Sequence, residues 1–537
     1  MVETKSFWRK FSLRGAVSLF LIMVLFLYGI LRVTVIALTD YSAVLENQNF
    51  IKLKIGDLRG TVFDCNMIPI TNNSKRIIAA VLPTERAKTA LKNTLEGEKL
   101  DEVLLTLEKG KPILCEVPEF INCDGIVCTE NYKTEDDIPA IHTIGYTDNE
   151  NSGVTGLQKA YDSYLKSDSE SYVLYECNGK GELLLGAEPI VRNNTSVIAG
   201  GIVSTIDINI QNIAELATKE LKYGAVVVTE AENSKIRAIV SRPDFNISDI
   251  ENCLTREDSP LLNRAISAYN VGSVFKPCVA IAGIEKGIKD LKFNCSGSTE
   301  IIDRFFKCHK IEGHGLVDLK ESLAFSCNTF FYNYAFKIGA GEILKKASEL
   351  QFGRALNLCE NIKTAKGNLP KVEKITNNAQ LANLSIGQGE LLLSPISITT
   401  LYTAIATDGK YYIPSLIEGI LENGKLKEYD IGKPTRVMEK STADILKEYL
   451  VSVVEEGTGV DAKPQHTTAA GKTATAQTGK FVDGLEINAG WFCGFFPREK
   501  PKYVVSVFSE DTKTQEKTCA QIFAEIADNV SVLKNFN

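Results

Sequence analysis

From Gly15 to Leu31 the chain is a nearly unbroken apolar run, extended past Arg32 by Val33 to Leu38. With its extension this is long enough to cross a bilayer as a helix. Lys5, Arg9, Lys10 and Arg14 precede it, and positive charge on that side places residues 1–14 in the cytoplasm and everything after Leu38 outside. The alternative is a cleaved signal peptide with Val35-Ile36-Ala37 as its site, for which the run is long. Beyond it, 39–54 reads as a juxtamembrane stalk, 59–64 as the start of a strand, 84–107 as helical and 112–128 as short strands. No chemical motif appears up to Asn151, so the region is expected to be architectural.

A helix carrying Tyr161 is expected after Gly153–Gln158, and another after Thr205, with Asp207 as its N-cap. Gly224–Thr229 and Ile236–Ser241 read as two strands of an antiparallel hairpin turning at Glu232-Asn233-Ser234. Helical patterns then dominate to Glu456, including 322–338, 341–350 and 394–406. After Gly471 the period changes to that of strands, at 472–477, 489–495 and 503–508, before a closing helix over 518–533 with no further module expected. Strands at both ends with helices between them predict an α+β domain, a mixed antiparallel sheet against a helical cluster. The expected division is a tail over 1–14, a membrane helix over 15–38, an extended β-rich N-terminal domain over 39–200 and the α+β domain over 201–537.

Length and composition change this picture little: 537 residues with ordinary apolar and charged fractions make a folded protein of two or three domains. A net charge of -7 provides no basic field for nucleic acid, and four histidines argue against a His-built metal centre. Thirteen cysteines is an odd number, and most are expected to be small buried apolar residues. Cys295 and Cys308 bracket a short segment before Gly313-His314-Gly315 and form a candidate disulfide, with free thiols the equal alternative. The chain contains no Cys-x-x-Cys pair, so no structural zinc, metal or cofactor is expected.

The candidate chemistry centres on Ser273 in Tyr269-Asn270-Val271-Gly272-Ser273-Val274-Phe275-Lys276-Pro277. A serine hydroxyl needs a base within hydrogen-bond reach, and Lys276 shares its helix face one turn on. Pro277 is tolerated only near a helix start, which puts Ser273 where free N–H groups favour an anion. The same Ser-x-x-Lys spacing recurs at Ser163/Lys166 and Ser531/Lys534, so order and company decide. The company is Ser326-Cys327-Asn328 and then Lys472-Thr473-Ala474 followed by Thr475. Cys327, His309 and His314 are read as packing or turn residues.

These three elements resemble the Ser-x-x-Lys, Ser-x-Asn and Lys-Thr-Gly set of penicillin-binding proteins and β-lactamases. Arg59-Gly60, Leu262-Asn263-Arg264-Ala265, Gly313-His314-Gly315, Gly457-Thr458-Gly459 and Ala489-Gly490-Trp491-Phe492 extend the likeness, and the chain is identified as resembling a class B penicillin-binding protein. The resemblance implies a β-lactamase-like domain on a pedestal, membrane-anchored, cross-linking peptidoglycan stem peptides as a D,D-transpeptidase and inhibited by β-lactams. It implies Ser273 as acylated nucleophile, Lys276 as base, Ser326 as proton relay and Asn328 as ligand of the substrate amide and the lysine. Lys472 and Thr473 would bind the substrate carboxylate, and the N–H groups of Ser273 and Thr475 would form the oxyanion hole. A polytopic SEDS-type glycosyltransferase is the implied membrane partner. Alanine at 474, where the family has glycine, is expected to crowd a substrate strand lying close to the sheet. A β-lactamase or β-lactam sensor, and a catalytically weak scaffold, are the competing readings.

Overall fold

The computed structural model describes residues 3–38, 50–184, 186–482 and 484–533. A single helix, Glu3–Leu38, carries the N-terminal apolar run, and its Gly15–Val35 stretch is long and apolar enough to cross a membrane. Of the expected stalk, 39–49 lies outside the described residues, and 50–54 opens the strand Phe50–Arg59.

The chain folds into two compact units that interleave along the sequence. The smaller takes in Ile77–Asn131 and Glu170–Asn193 besides residues up to Gly56; the larger comprises Asp57–Arg76, Tyr132–Ser169 and everything from Asn194. In the smaller unit Ile113–Val117 pairs antiparallel with 77–81. The helical stretch expected over 84–107 is two helices, Glu85–Lys92 and Glu98–Glu108. They part at Gly97, whose φ of 67° lies in the left-handed region where glycine carries no Cβ penalty. Leu91, Val103 and Leu107 from these helices pack on Ala79 and Val81.

The larger unit is built on a five-stranded antiparallel sheet. Its strands are β1 (Gly224–Glu230), β2 (Ile236–Arg242), β3 (Ala470–Val482), β4 (Leu485–Phe496) and β5 (Tyr503–Ser509), in the order β2-β1-β5-β4-β3. β1 and β2 form the expected hairpin. Alternation along β4 sorts its side chains: Trp491, Cys493 and Phe495 enter one core, Phe492 and Phe496 the other. The second core is covered by α1 (Ile208–Ala217) and, last in the chain, α7 (Cys519–Ser531). Asp207 caps α1 as expected, accepting from the N–H groups of Asn209 and Ile210.

The first core is filled by α2 (Lys276–Glu285), α3 (Leu319–Ala324), α4 (Asn328–Ile338), α5 (Pro395–Ala406) and α6 (Lys440–Glu455). Every residue of α5 is buried, which is why its apolar positions show no face. The single helix expected over 322–338 is instead α3 and α4, separated at Phe325–Cys327. Ser326 has φ 54° and Cys327 is extended, so the chain turns sharply there and restarts with Asn328 as its first helical residue. β3 lies at the sheet edge, which leaves one side of it open to the turn before α2.

Candidate active site

Ser273 sits on a 3-10 turn, Gly272–Phe275, that runs directly into α2, with Pro277 in the first turn of that helix. Gly272 has φ 67° and donates its N–H to the Gly387 carbonyl at 2.8 Å. A Cβ there would stand 3.2 Å from that of Ala476 and 3.3 Å from that of Ala474, so the absence of a side chain lets the turn lie against β3.

Lys276 is wholly buried. Its Nζ donates to the Ser326 carbonyl at 2.8 Å, to Ser326 Oγ at 3.2 Å and to Asn328 Oδ1 at 2.8 Å. Ser326 Oγ in turn donates to Ser273 Oγ at 3.1 Å. The break between α3 and α4 makes this possible: a continuous helix would use the Ser326 carbonyl internally, whereas here it points at the lysine. Burial drives the Lys276 pKa down to about 7, against an opposing pull from Cys327 and Cys308.

Lys472, on β3, is also fully buried. Its Nζ donates to the Thr473 carbonyl at 3.0 Å and approaches Thr458 Oγ1 and Thr473 Oγ1 at 3.4 Å each. Burial, and after it the charge of Lys276, holds its pKa well below the ordinary lysine value. Thr458 Oγ1 and Thr473 Oγ1 are 2.7 Å apart. Thr458 is thus a site residue that sequence reasoning missed, although the Gly457-Thr458-Gly459 punctuation marked its turn. Its N–H bonds the Ala324 carbonyl at the end of α3, which ties this turn to Ser326.

Ser273, Ser326, Asn328, Thr473 and Thr475 all line one cleft of about 590 Å³. All seven residues expected at the site therefore converge, five on the cleft and Lys276 and Lys472 buried in bonding contact with them. The Ala474 methyl is 8% exposed: it packs into the first core facing the turn at Gly272 and also lines this cleft. Thr473 and Thr475 alternate to the other side of the strand. The other two Ser-x-x-Lys pairs build nothing comparable: Ser163 lies in the short helix Asp162–Leu165, and Ser531 Oγ bonds the Asp528 carbonyl, with Lys534 outside the described residues.

The described cysteines are all free, so Cys295 and Cys308 are not bridged. Instead they converge with Cys327 and His314, their ligand atoms all within 4.8 Å of one another. Cys295 Sγ and Cys308 Sγ stand 3.6 and 3.5 Å from His314 Nδ1. The strand pair Phe293–Cys295 with Gly315–Val317 and the hairpin Ser298–Ile301 with Arg304–Lys307 bring three of these residues together, and the break before α4 supplies the fourth. Three thiols and an imidazole are the donor set of a structural zinc site. The sequence expectation of no metal rested on the missing Cys-x-x-Cys spacing, but here three separate segments contribute.

The chain's residues 224–528, more than half of it, match the family model described as the penicillin-binding protein transpeptidase domain. It is 28% identical over 410 residues to stage V sporulation protein D of Bacillus subtilis, covering 72% of this chain and 61% of that one. Over 409 residues it is 25% identical to peptidoglycan D,D-transpeptidase MrdA of Acinetobacter baumannii, covering 67% and 57%. The chain thus spans less than two thirds of either relative's length. The D,D-transpeptidase domain of a peptidoglycan glycosyltransferase from Eggerthella lenta shares the fold, with a TM-score of 0.65 at 20% identity over 90% of this chain and all of that one. A serine hydroxyl and two buried lysines gathered at the edge of an antiparallel sheet are what the fold brings together. The chain belongs to the penicillin-binding protein transpeptidase family, and within it to class B.

Proposed function

We propose that this chain is a serine D,D-transpeptidase that cross-links peptidoglycan stem peptides and is acylated by β-lactams. The observation that carries the reading is the chain of bonds from Lys276 Nζ through Ser326 Oγ to Ser273 Oγ, with the lysine buried and poised to be neutral near pH 7. A neutral Lys276 takes the Ser273 proton through Ser326 as Oγ attacks the carbonyl of the donor's penultimate residue. The oxyanion is held by the N–H groups of Ser273 and Thr475. Ser326 returns the proton to the leaving nitrogen, the C–N bond breaks and an ester to Ser273 remains. The departing residue's carboxylate is held by Thr473, Thr458 and the Lys472 region, while Asn328 orients the donor amide. An acceptor amine then attacks the ester and frees Ser273.

Cys295, Cys308, His314 and Cys327 would hold a zinc ion, whose contribution is structural: it would anchor Cys327 and with it the flanking Ser326 and Asn328. The N-terminal helix serves as a single-pass anchor, its basic end in the cytoplasm and the bulk of the chain outside, with a SEDS-type glycosyltransferase as the membrane partner. The smaller of the two interleaved units would supply the pedestal and the larger the transpeptidase domain. The testing experiment is acylation by a fluorescent penicillin. Stable label on the parent and none on Ser273→Ala supports the transpeptidase; rapid loss of label to water points to a β-lactamase; no label on the parent points to a scaffold.

A further inference from the structure

The cleft that holds Ser273 has one carboxylate in its lining among the described residues, that of Asp461. Asp461 lies in the 3-10 turn Val460–Ala462, three residues after Thr458. That turn is rigidly placed. Ala462 is fully buried, its N–H bonds the Gly459 carbonyl at 2.9 Å, and the Gly459 N–H bonds the Val453 carbonyl on α6 at 2.9 Å. Thr458 is tied to Thr473 on one side and to the end of α3 on the other. Asp461 therefore shares one cleft lining with Ser273, Ser326, Thr458 and Thr473, the cleft that the leaving residue and an acceptor both have to use.

Its charge is uncompensated. Asp461 is exposed and makes no ion pair among the described residues, and the nearest cation in sequence, Lys463, is paired with Glu455. Neither buried lysine answers to it: the charge of Lys276 is set by burial and two cysteines, that of Lys472 by burial and Lys276. A carboxylate that serves none of its neighbours, at the mouth of a cleft whose second substrate is a cation in water, has an evident ligand.

Building on the transpeptidase reading, we propose that Asp461 is the acceptor-binding residue, which captures the primary ammonium group of the incoming peptide strand. The acceptor arrives as R–NH3⁺ and is held beside the carboxylate. It gives one proton to water at the cleft mouth and attacks the Ser273 ester as R–NH2. The new C–N bond forms, the C–Oγ bond breaks, and the nitrogen's surplus proton reaches Ser273 Oγ through Ser326. The net change is acyl ester and ammonium to amide, free serine and one proton. The same charge concentrates a cationic acceptor and not neutral water, so Asp461 biases the acyl-enzyme toward cross-linking.

The test uses the full chain in detergent, acylated by a thioester donor peptide, with the amide-to-acid product ratio measured against two nucleophiles. One is the side-chain amine of a lysine tripeptide, cationic at pH 7; the other is hydroxylamine, largely neutral there. Asp461→Asn is expected to lower the ratio for the lysine peptide about fivefold at low salt, less as salt is added, as befits an exposed charge pair. Hydroxylamine should be unaffected, Asp461→Glu should restore part of the loss, and Asp461→Lys should deepen it. Acyl-enzyme formation in each variant verifies a folded site. An unchanged ratio for the lysine peptide, or an equal fall for both nucleophiles, overturns the assignment while the transpeptidase reading stands. A parent that forms no acyl-enzyme overturns both.

Discussion

Lys276 reaches Ser273 through Ser326: its Nζ is 3.2 Å from Ser326 Oγ, which donates to Ser273 Oγ at 3.1 Å, and it makes no direct hydrogen bond to the nucleophile. A hydroxyl placed by the break between α3 and α4 thus stands between the two side chains. Ser326→Ala should slow acylation by penicillin about a hundredfold, the low end of what a positioned proton-transfer group contributes. Stopped-flow acylation on a variant whose melting temperature is retained checks this. A rate within twofold of the parent would mean that the lysine acts directly.

The depressed Lys276 pKa sets the direction of the pH dependence. Below about 7 the lysine is protonated and cannot accept the serine proton; above it the neutral base is available. Acylation should rise with pH through about 7 and then level off. Lys276→Arg keeps the cation at every accessible pH, and should acylate negligibly and without that inflection. An acylation rate flat from pH 5 to 9 in the parent would exclude Lys276 as the base.

Ala474 bears on stability as well as on the cleft that it lines. Its methyl fills space beneath β3 against the Gly272 turn, so Ala474→Gly removes buried apolar surface and loosens the strand. The expected cost is about 1 kcal/mol, with acylation by penicillin within a few fold of the parent. Denaturant unfolding of the two forms, beside their acylation rates, provides the comparison. A large gain in acylation on removing the methyl would show that it obstructs the cleft.

The thiol-imidazole cluster makes a prediction that does not depend on turnover. Protein purified without chelator should contain about one zinc per chain, and a chelator should lower its melting temperature, because ligand bound to the native state alone stabilises it. Cys295→Ser, at a residue that does not line the cleft, should lose the metal and show the same lowered melting temperature. Metal analysis of both forms decides, and a parent that carries no zinc when zinc is supplied contradicts the assignment.

Local pattern was enough for the strands of the central sheet, the hairpin at Glu232–Ser234, the cap at Asp207 and the N-terminal helix, because each is written in adjacent residues. It was also enough to place Ser273 just before α2, since Pro277 and the apolar run after it define where that helix starts. It failed at Ser326. Nothing in the periodicity of 322–338 marks a break, because the left-handed turn is held by a tertiary partner: the Lys276 ammonium binds the carbonyl that a continuous helix would have used. The cysteine cluster was hidden for a related reason, its donors being brought together by two strand pairings and that same break. Thr458 carried a signal in its flanking glycines, but only the approach of β3 shows which way its hydroxyl faces. The interleaving of the two compact units, with Asp57–Arg76 and Tyr132–Ser169 in the larger, follows from pairings far apart in sequence that no local window reports.

The most direct measurement is mass spectrometry of the protein after incubation with penicillin and proteolysis. A single adduct on the peptide bearing Ser273, absent from Ser273→Ala, is the predicted result. An adduct on any other residue, or none on a parent shown to be folded, would contradict the account.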